Sequence, residues 1–144
     1  MNKQEKALKN FGKMNCNQSV FAAFGPDYGV SEELCFKLGL SFGGGMAKQG
    51  KTCGAVTGAY NAIGLWSATH TDDKGRQKQI AVEKVQEFNK LFIKQYGHTD
   101  CKALLKYDIS IAEEAQKIEE LGLTKSVCPD LIGYSAKILE EILN

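Results

Sequence analysis

Apolar residues recur every three or four positions in two long stretches of the chain. Ala81, Val85, Phe88, Phe92 and Tyr96 form one series; Leu131, Ser135, Ile138, Leu139 and Ile142 form the other. That spacing lines one face of a 3.6-residue helix, so each stretch predicts an amphipathic helix against a core. Cys53–Trp66 is small and apolar all round, which predicts a buried helix. Shorter helices are predicted over Cys16–Phe24, Glu32–Phe42, Cys101–Leu105 and Ala112–Leu121. Gly25–Gly29 reads as a turn, and the polar stretch Ser67–Gln79 as a solvated loop. No run alternates with the period of two that a strand requires. The fold class expected is therefore all-α: a compact bundle of about five to seven helices in a single domain, residues 1–144.

Composition agrees with that picture and narrows it. A chain of 144 residues with 43% hydrophobic and 24% charged positions can build one ordinary core. This excludes disordered and low-complexity classes. Lys and Arg number 18 against 17 Asp and Glu, a net charge of +1, and the one arginine is Arg76. Nucleic-acid binders carry a basic excess and use Arg for bidentate contacts, so no nucleic-acid partner is expected. The apolar stretch from Cys53 is too short to span a bilayer and contains Thr57 and Asn61. The first residues are charged and lack the apolar run of a signal peptide. A cytoplasmic protein without membrane insertion is the expectation.

The candidate chemistry lies in five cysteines. In a reducing compartment cysteines more often serve catalysis, redox exchange or metal binding than stapling. An odd number cannot all pair within one chain, and no C-x-x-C or C-x-x-C-H motif occurs. Four of the five lie where a helix is expected to begin. Asn15 precedes Cys16, with Gln18 placed for a capping box. Thr52 precedes Cys53, Thr99 and Asp100 precede Cys101, and Ser126 and Pro129 flank Cys128. A first-turn cysteine faces open backbone N–H groups and the positive end of the helix dipole, which favours thiolate and predicts lowered pKa values. Thiolate is both the nucleophile and the metal ligand. Cys16, Cys53, Cys101 and Cys128 are therefore candidates for catalysis, and equally a four-cysteine ligand set for zinc or an iron–sulfur cluster. Their order along the chain does not say which of them meet. Cys53, with its small neighbours, is the candidate for nucleophilic attack. Cys35 shares a face with Leu34 and Leu38 and reads as a core residue.

Cys16, the run Cys53-Gly54-Ala55-Val56-Thr57-Gly58, Cys101 and Cys128 resemble the C_GCAxxG_C_C family of redox proteins. The Asn-Cys opening and the stretch Gly43-Gly44-Gly45 fit as well, and the resemblance covers Asn15 to Leu143. It implies that Cys16, Cys53, Cys101 and Cys128 carry a redox function and that Cys35 lies outside the pattern. A related domain occurs in split-Soret cytochromes c, but the haem-attachment motif is missing here. The resemblance implies redox chemistry with an unspecified redox partner or small substrate.

Gly45-Met46-Ala47-Lys48-Gln49-Gly50-Lys51-Thr52 matches the phosphate-binding pattern G-x-x-x-x-G-K-[ST]. Without a preceding strand it reads better as a flexible connection between helices whose glycines let backbone approach the Cys53 site. Gly54, Gly58 and Ala62 are four apart. They offer a flat face for helix packing and also room beside Cys53, so Gly54 and Gly58 are candidate cofactor-contact residues. His98, three residues before Cys101, is a weaker candidate base or ligand, and His70 weaker still. Trp66 and the phenylalanines are expected in the core. The rival to a redox function is a helical binding or scaffold module whose cysteines only fill space.

Overall fold

The computed structural model describes all 144 residues and contains no β-strand. Nine α-helices follow one another: α1 Lys3–Asn10, α2 Cys16–Phe24, α3 Glu32–Leu38, α4 Gly54–His70, α5 Lys74–Tyr96, α6 Cys101–Leu105, α7 Ala112–Glu120, α8 Leu123–Ser126 and α9 Cys128–Ile142. Short 3-10 turns cover Gly25–Tyr28 and Leu40–Phe42. The all-α expectation holds. Seven of the nine helices stand where the sequence pattern put them. The other two, α1 and the single-turn α8, are too short and polar to show a period.

The centre of the molecule is the pair α2 and α4. Nearly every residue of α2 is buried, as is the first half of α4. Asn17 Nδ2 donates to Thr57 Oγ1 at 3.0 Å and to Asn61 Oδ1 at 3.0 Å, tying the two helices together. Helix α1 packs on α2 and α9, and α5 packs on α4 and α9. The periodic faces read from sequence form the core between them. Phe88 and Phe92 of α5 stack at 5.7 Å between centroids and are fully buried with Ile63, Ile132 and Leu139. Ser135 Oγ donates to Ala55 O at 2.7 Å, which fixes α9 against the start of α4.

Four expectations are corrected. Ser67–Gln79 is not a loop: α4 runs on to His70 and α5 begins at Lys74, leaving Thr71–Asp73 as the break. Ser67 Oγ satisfies itself on Ile63 O at 2.7 Å, and Asp73 caps α5 by accepting from Arg76 N–H at 3.0 Å. The polar residues there are solvated helix faces rather than loop. The helix over Glu32–Phe42 breaks at Gly39, which lies against the Asn17 and Gln18 side chains with no room for a Cβ. Cys35 is buried, packing with Phe21 and Ala22, but Leu34 and Leu38 are 45% and 55% exposed and do not share its face. The aromatic core is likewise smaller than expected. Phe36 is exposed, and Trp66 lies half-buried, stacked on His70 beneath the Lys84 ammonium.

Candidate functional site

Four loops or helix starts converge at one end of the α2–α4 pair. Cys16 is the first residue of α2, where Asn15 and Gln18 form the expected capping box. Cys53 is the N-cap residue of α4 rather than part of its first turn. Cys101 opens α6 and Cys128 opens α9; neither helix has a side-chain cap, so Thr99, Asp100 and Ser126 do not play the role their positions suggested. The four cysteines line one cavity of about 660 Å³ together with Gly54, Lys48 and a set of apolar side chains. Cys53, Cys101 and Cys128 are under a tenth exposed; Cys16 is half-buried.

Backbone pairing sets part of this arrangement. Thr52 and Asp100 form an isolated antiparallel bridge. Across it Cys53 N–H donates to Thr99 O at 2.8 Å and Cys101 N–H to Lys51 O at 2.6 Å. Both cysteines thus stand one residue beyond the bridge, diagonally on the same face, a relation that places Cβ atoms roughly 7 Å apart.

Glycine sets the rest. A Cβ on Gly54 would come within 2.7 Å of Asn17 N and 2.8 Å of Cys16 Cβ, so its absence lets the start of α4 lie directly on Cys16. A Cβ on Gly45 would reach Cys101 Cβ at 2.6 Å and Lys51 N at 2.7 Å. The glycine-rich loop therefore approaches Cys101, not Cys53 as expected. Gly58 takes no part in the cavity: it packs against Asn17 O and Val20, one turn further along α2. The two candidate glycines divide, Gly54 to the site and Gly58 to helix packing.

The pKa values overturn the helix-terminus expectation for three of the four thiols. Burial pushes Cys53 up to about 12 against the pull of the Ala55 and Val56 N–H groups. Cys101 rises to about 11, chiefly by burial and then by the charges of Cys128, Asp108 and Asp100. Desolvation opposes the anion throughout the group's surroundings, whereas the helix terminus offers one or two N–H bonds. Cys16 and Cys128 both line the cavity and titrate as a pair. The interaction between the two thiols lowers Cys128 despite its burial and, followed by burial, raises Cys16 well above the ordinary thiol value. Cys128 is the member that ionises first. The capping box already occupies N–H groups at the start of α2, while no side chain caps α9, so the dipole of the longer helix faces Cys128. A thiol held near 12 is not an anion at neutral pH, which argues against attack from Cys53.

All five cysteines are free thiols. Four thiols are suitable donors for zinc or an iron–sulfur cluster. Their arrangement is not: no group of three or more His, Cys, Asp or Glu side chains stands together as a metal-holding set. His98 and His70 are exposed and away from the cavity.

The phosphate-loop pattern over 45–52 is also corrected. The segment follows a 3-10 turn and not a strand. Several of its N–H groups are spent on neighbouring carbonyls of the same loop: Lys48 on Gly43 at 2.8 Å, Gly50 on Gly44 at 3.2 Å and Lys51 on Gly45 at 2.9 Å. Gly44, Gly45, Met46, Ala47 and Lys48 all have positive φ. This is a tightly wound, internally bonded loop rather than a flexible connection or a cradle. No sequence signal marks Met46, Ala47 or Lys48 for such a conformation, so the presence of Lys48 at the cavity was not foreseen.

Comparison with protein families gives one match. A family model described as "Putative redox-active protein (C_GCAxxG_C_C)" matches residues 14–142. No curated protein and no solved structure matches the chain.

Proposed function

Since the chain belongs to the C_GCAxxG_C_C redox-active family, we propose that it performs thiol–disulfide exchange through Cys128 and Cys16. The observation that supports this reading is that both thiols stand in the wall of one cavity and act on each other's ionisation, with Cys128 lowered and Cys16 raised. A low-pKa thiolate beside a retained thiol is the arrangement of an attacking and a resolving cysteine.

The chemistry balances with no further group. Cys128 thiolate attacks one sulfur of a substrate disulfide. The Cys128–substrate S–S bond forms, the substrate S–S bond breaks, and the first substrate thiolate leaves and takes up a proton. Cys16 then loses its proton and attacks the Cys128 sulfur, forming Cys16–Cys128 and releasing the second substrate thiolate. Two protein thiols are oxidised and one substrate disulfide is reduced, with two electrons and two protons passed on. Cys53 and Cys101 remain protonated and shape the cavity beside the pair.

Alkylation by iodoacetamide, mapped by mass spectrometry across pH, tests the assignment. Cys128 is expected to react at the lowest pH, and Cys35, fully buried and pushed up to about 11, to stay almost unreactive at neutral pH. Mild oxidation is expected to yield a Cys16–Cys128 crosslink, lost in Cys128→Ser and kept in Cys35→Ser. A crosslink between any other two cysteines overturns the pair. Protein purified without oxygen is expected to lack stoichiometric iron and acid-labile sulfide. A full cluster that disappears in each of the four Cys→Ser variants replaces thiol exchange with electron transfer through a cysteine-held cluster. Thiols that neither oxidise nor react differently from one another return the scaffold reading.

A further inference from the structure

We infer that the disulfide reduced by Cys128 and Cys16 belongs to a small organic molecule with an anionic group, recognised by Lys48, and not to a protein. This inference rests on the thiol-exchange reading and names its substrate class.

Access supports the size limit. The Cys128 sulfur lies in the wall of a cavity and the residue is 7% exposed. A disulfide within a folded protein brings two flanking backbones with it, and these would have to enter the cavity too. The volume of about 660 Å³ lies within the usual range for small-molecule sites. Most of the lining is apolar, from Phe11, Leu40, Leu104, Ile109 and Leu131, which suits an organic body.

Charge supports the anion. Lys48 is the single charged side chain in the lining, and no carboxylate lines the cavity. Asp100 and Asp108, whose charges reach Cys101, stand outside the lining. Lys48 forms no ion pair with any residue of the chain. Its position is secured by backbone conformation. Met46, Ala47 and Lys48 have φ values of 64°, 57° and 59°, a region that residues with a Cβ occupy only at a cost. The Lys48 N–H bond to Gly43 O closes the loop over the site, and the Gly45–Cys101 contact seats it there. Lys48 is exposed to solvent as well as lining the cavity, so its ammonium is free to meet an incoming anion.

The test measures the second-order rate at which reduced protein is oxidised by three disulfides: dithiodipropionate, 2-hydroxyethyl disulfide and cystamine, carrying negative, zero and positive charge. Samples are quenched with iodoacetamide and mapped. The same protein in urea supplies the intrinsic reactivities. A thiolate in solution prefers the cationic disulfide, so the folded protein is expected to invert the order, favouring the anionic over the neutral one by about tenfold, the size of one charge-assisted hydrogen bond. Lys48→Glu is expected to abolish the inversion and Lys48→Arg to keep it. Insulin, as a protein disulfide, is expected to react far more slowly than any of the three. Insulin reacting as fast as the small disulfides overturns the size limit. The urea order persisting in the folded protein, or an inverted order surviving unchanged in Lys48→Glu, overturns the role of Lys48. Failure of the Cys16–Cys128 link to form with any disulfide overturns the exchange reading itself.

Discussion

Gly54 and Gly64 lie in the same helix, and alanine at each position should have opposite effects. At Gly54 a Cβ would stand 2.7 Å from Asn17 N and 2.8 Å from Cys16 Cβ. Neither atom is the end of a flexible side chain, so α4 must move off α2 to admit it. Forcing a methyl group into a packed contact costs about 1–3 kcal/mol, and helix propensity returns little at the first residue of a helix. At Gly64 nothing lies within 4 Å and the residue is exposed in mid-helix. There alanine gains about 0.5–1 kcal/mol through a less mobile unfolded chain. With roughly 2–4 °C of Tm per kcal/mol for a chain of this size, Gly54→Ala should melt about 2–12 °C lower and Gly64→Ala about 1–4 °C higher. Scanning calorimetry under reducing conditions reads both. Gly54→Ala should also separate Cys16 from Cys128, raising the pH at which Cys128 is alkylated. If both variants gain stability, or if Gly54→Ala melts lower with Cys128 reactivity unmoved, the contact through Gly54 does not hold the pair together and the reasoning fails.

Two further outcomes follow from the same residues. The folded protein keeps the Cys53 proton to about pH 12, whereas the unfolded chain releases it near 9.0. That contribution to stability is complete below pH 9 and is lost as pH rises toward 12. Urea midpoints of reduced protein should fall across this window, and Cys53→Ala should fall less steeply; equal slopes would refute the burial argument. Asn15→Ala removes the capping box and the Asn15 Nδ2 bond to Gly39 O at 3.0 Å. A loss of about 1–2 kcal/mol is expected, visible as a lower urea midpoint, and Asn15→Ser should restore part of it.

Local chemistry wrote much of this molecule legibly. The α5 and α9 faces follow from spacing alone, because a helix that must bury one side repeats its apolar residues with the helical period. The start of α2 is equally local, since Asn15 and Gln18 satisfy backbone groups within one turn. Where a stretch carries no period, as in α1 with Ala7 its sole buried residue, the sequence offers no signal. In Ser67–Gln79 the polar residues misled because a solvated helix face and a loop share one composition.

The chain by itself determined that four cysteines begin or cap helices and that the fold is helical. Both depend on interactions within a few residues. Only the tertiary structure decided that Cys16 meets Cys128, that Cys53 and Cys101 stay protonated, and that a left-handed loop carries Lys48 to the cavity. The helix-terminus effect on a thiol comes from its own turn, but desolvation comes from every element packed around it, and here the latter prevails for Cys53 and Cys101. A thiolate is stabilised or forbidden by neighbours distant in sequence, and those neighbours exist only once the bundle has closed.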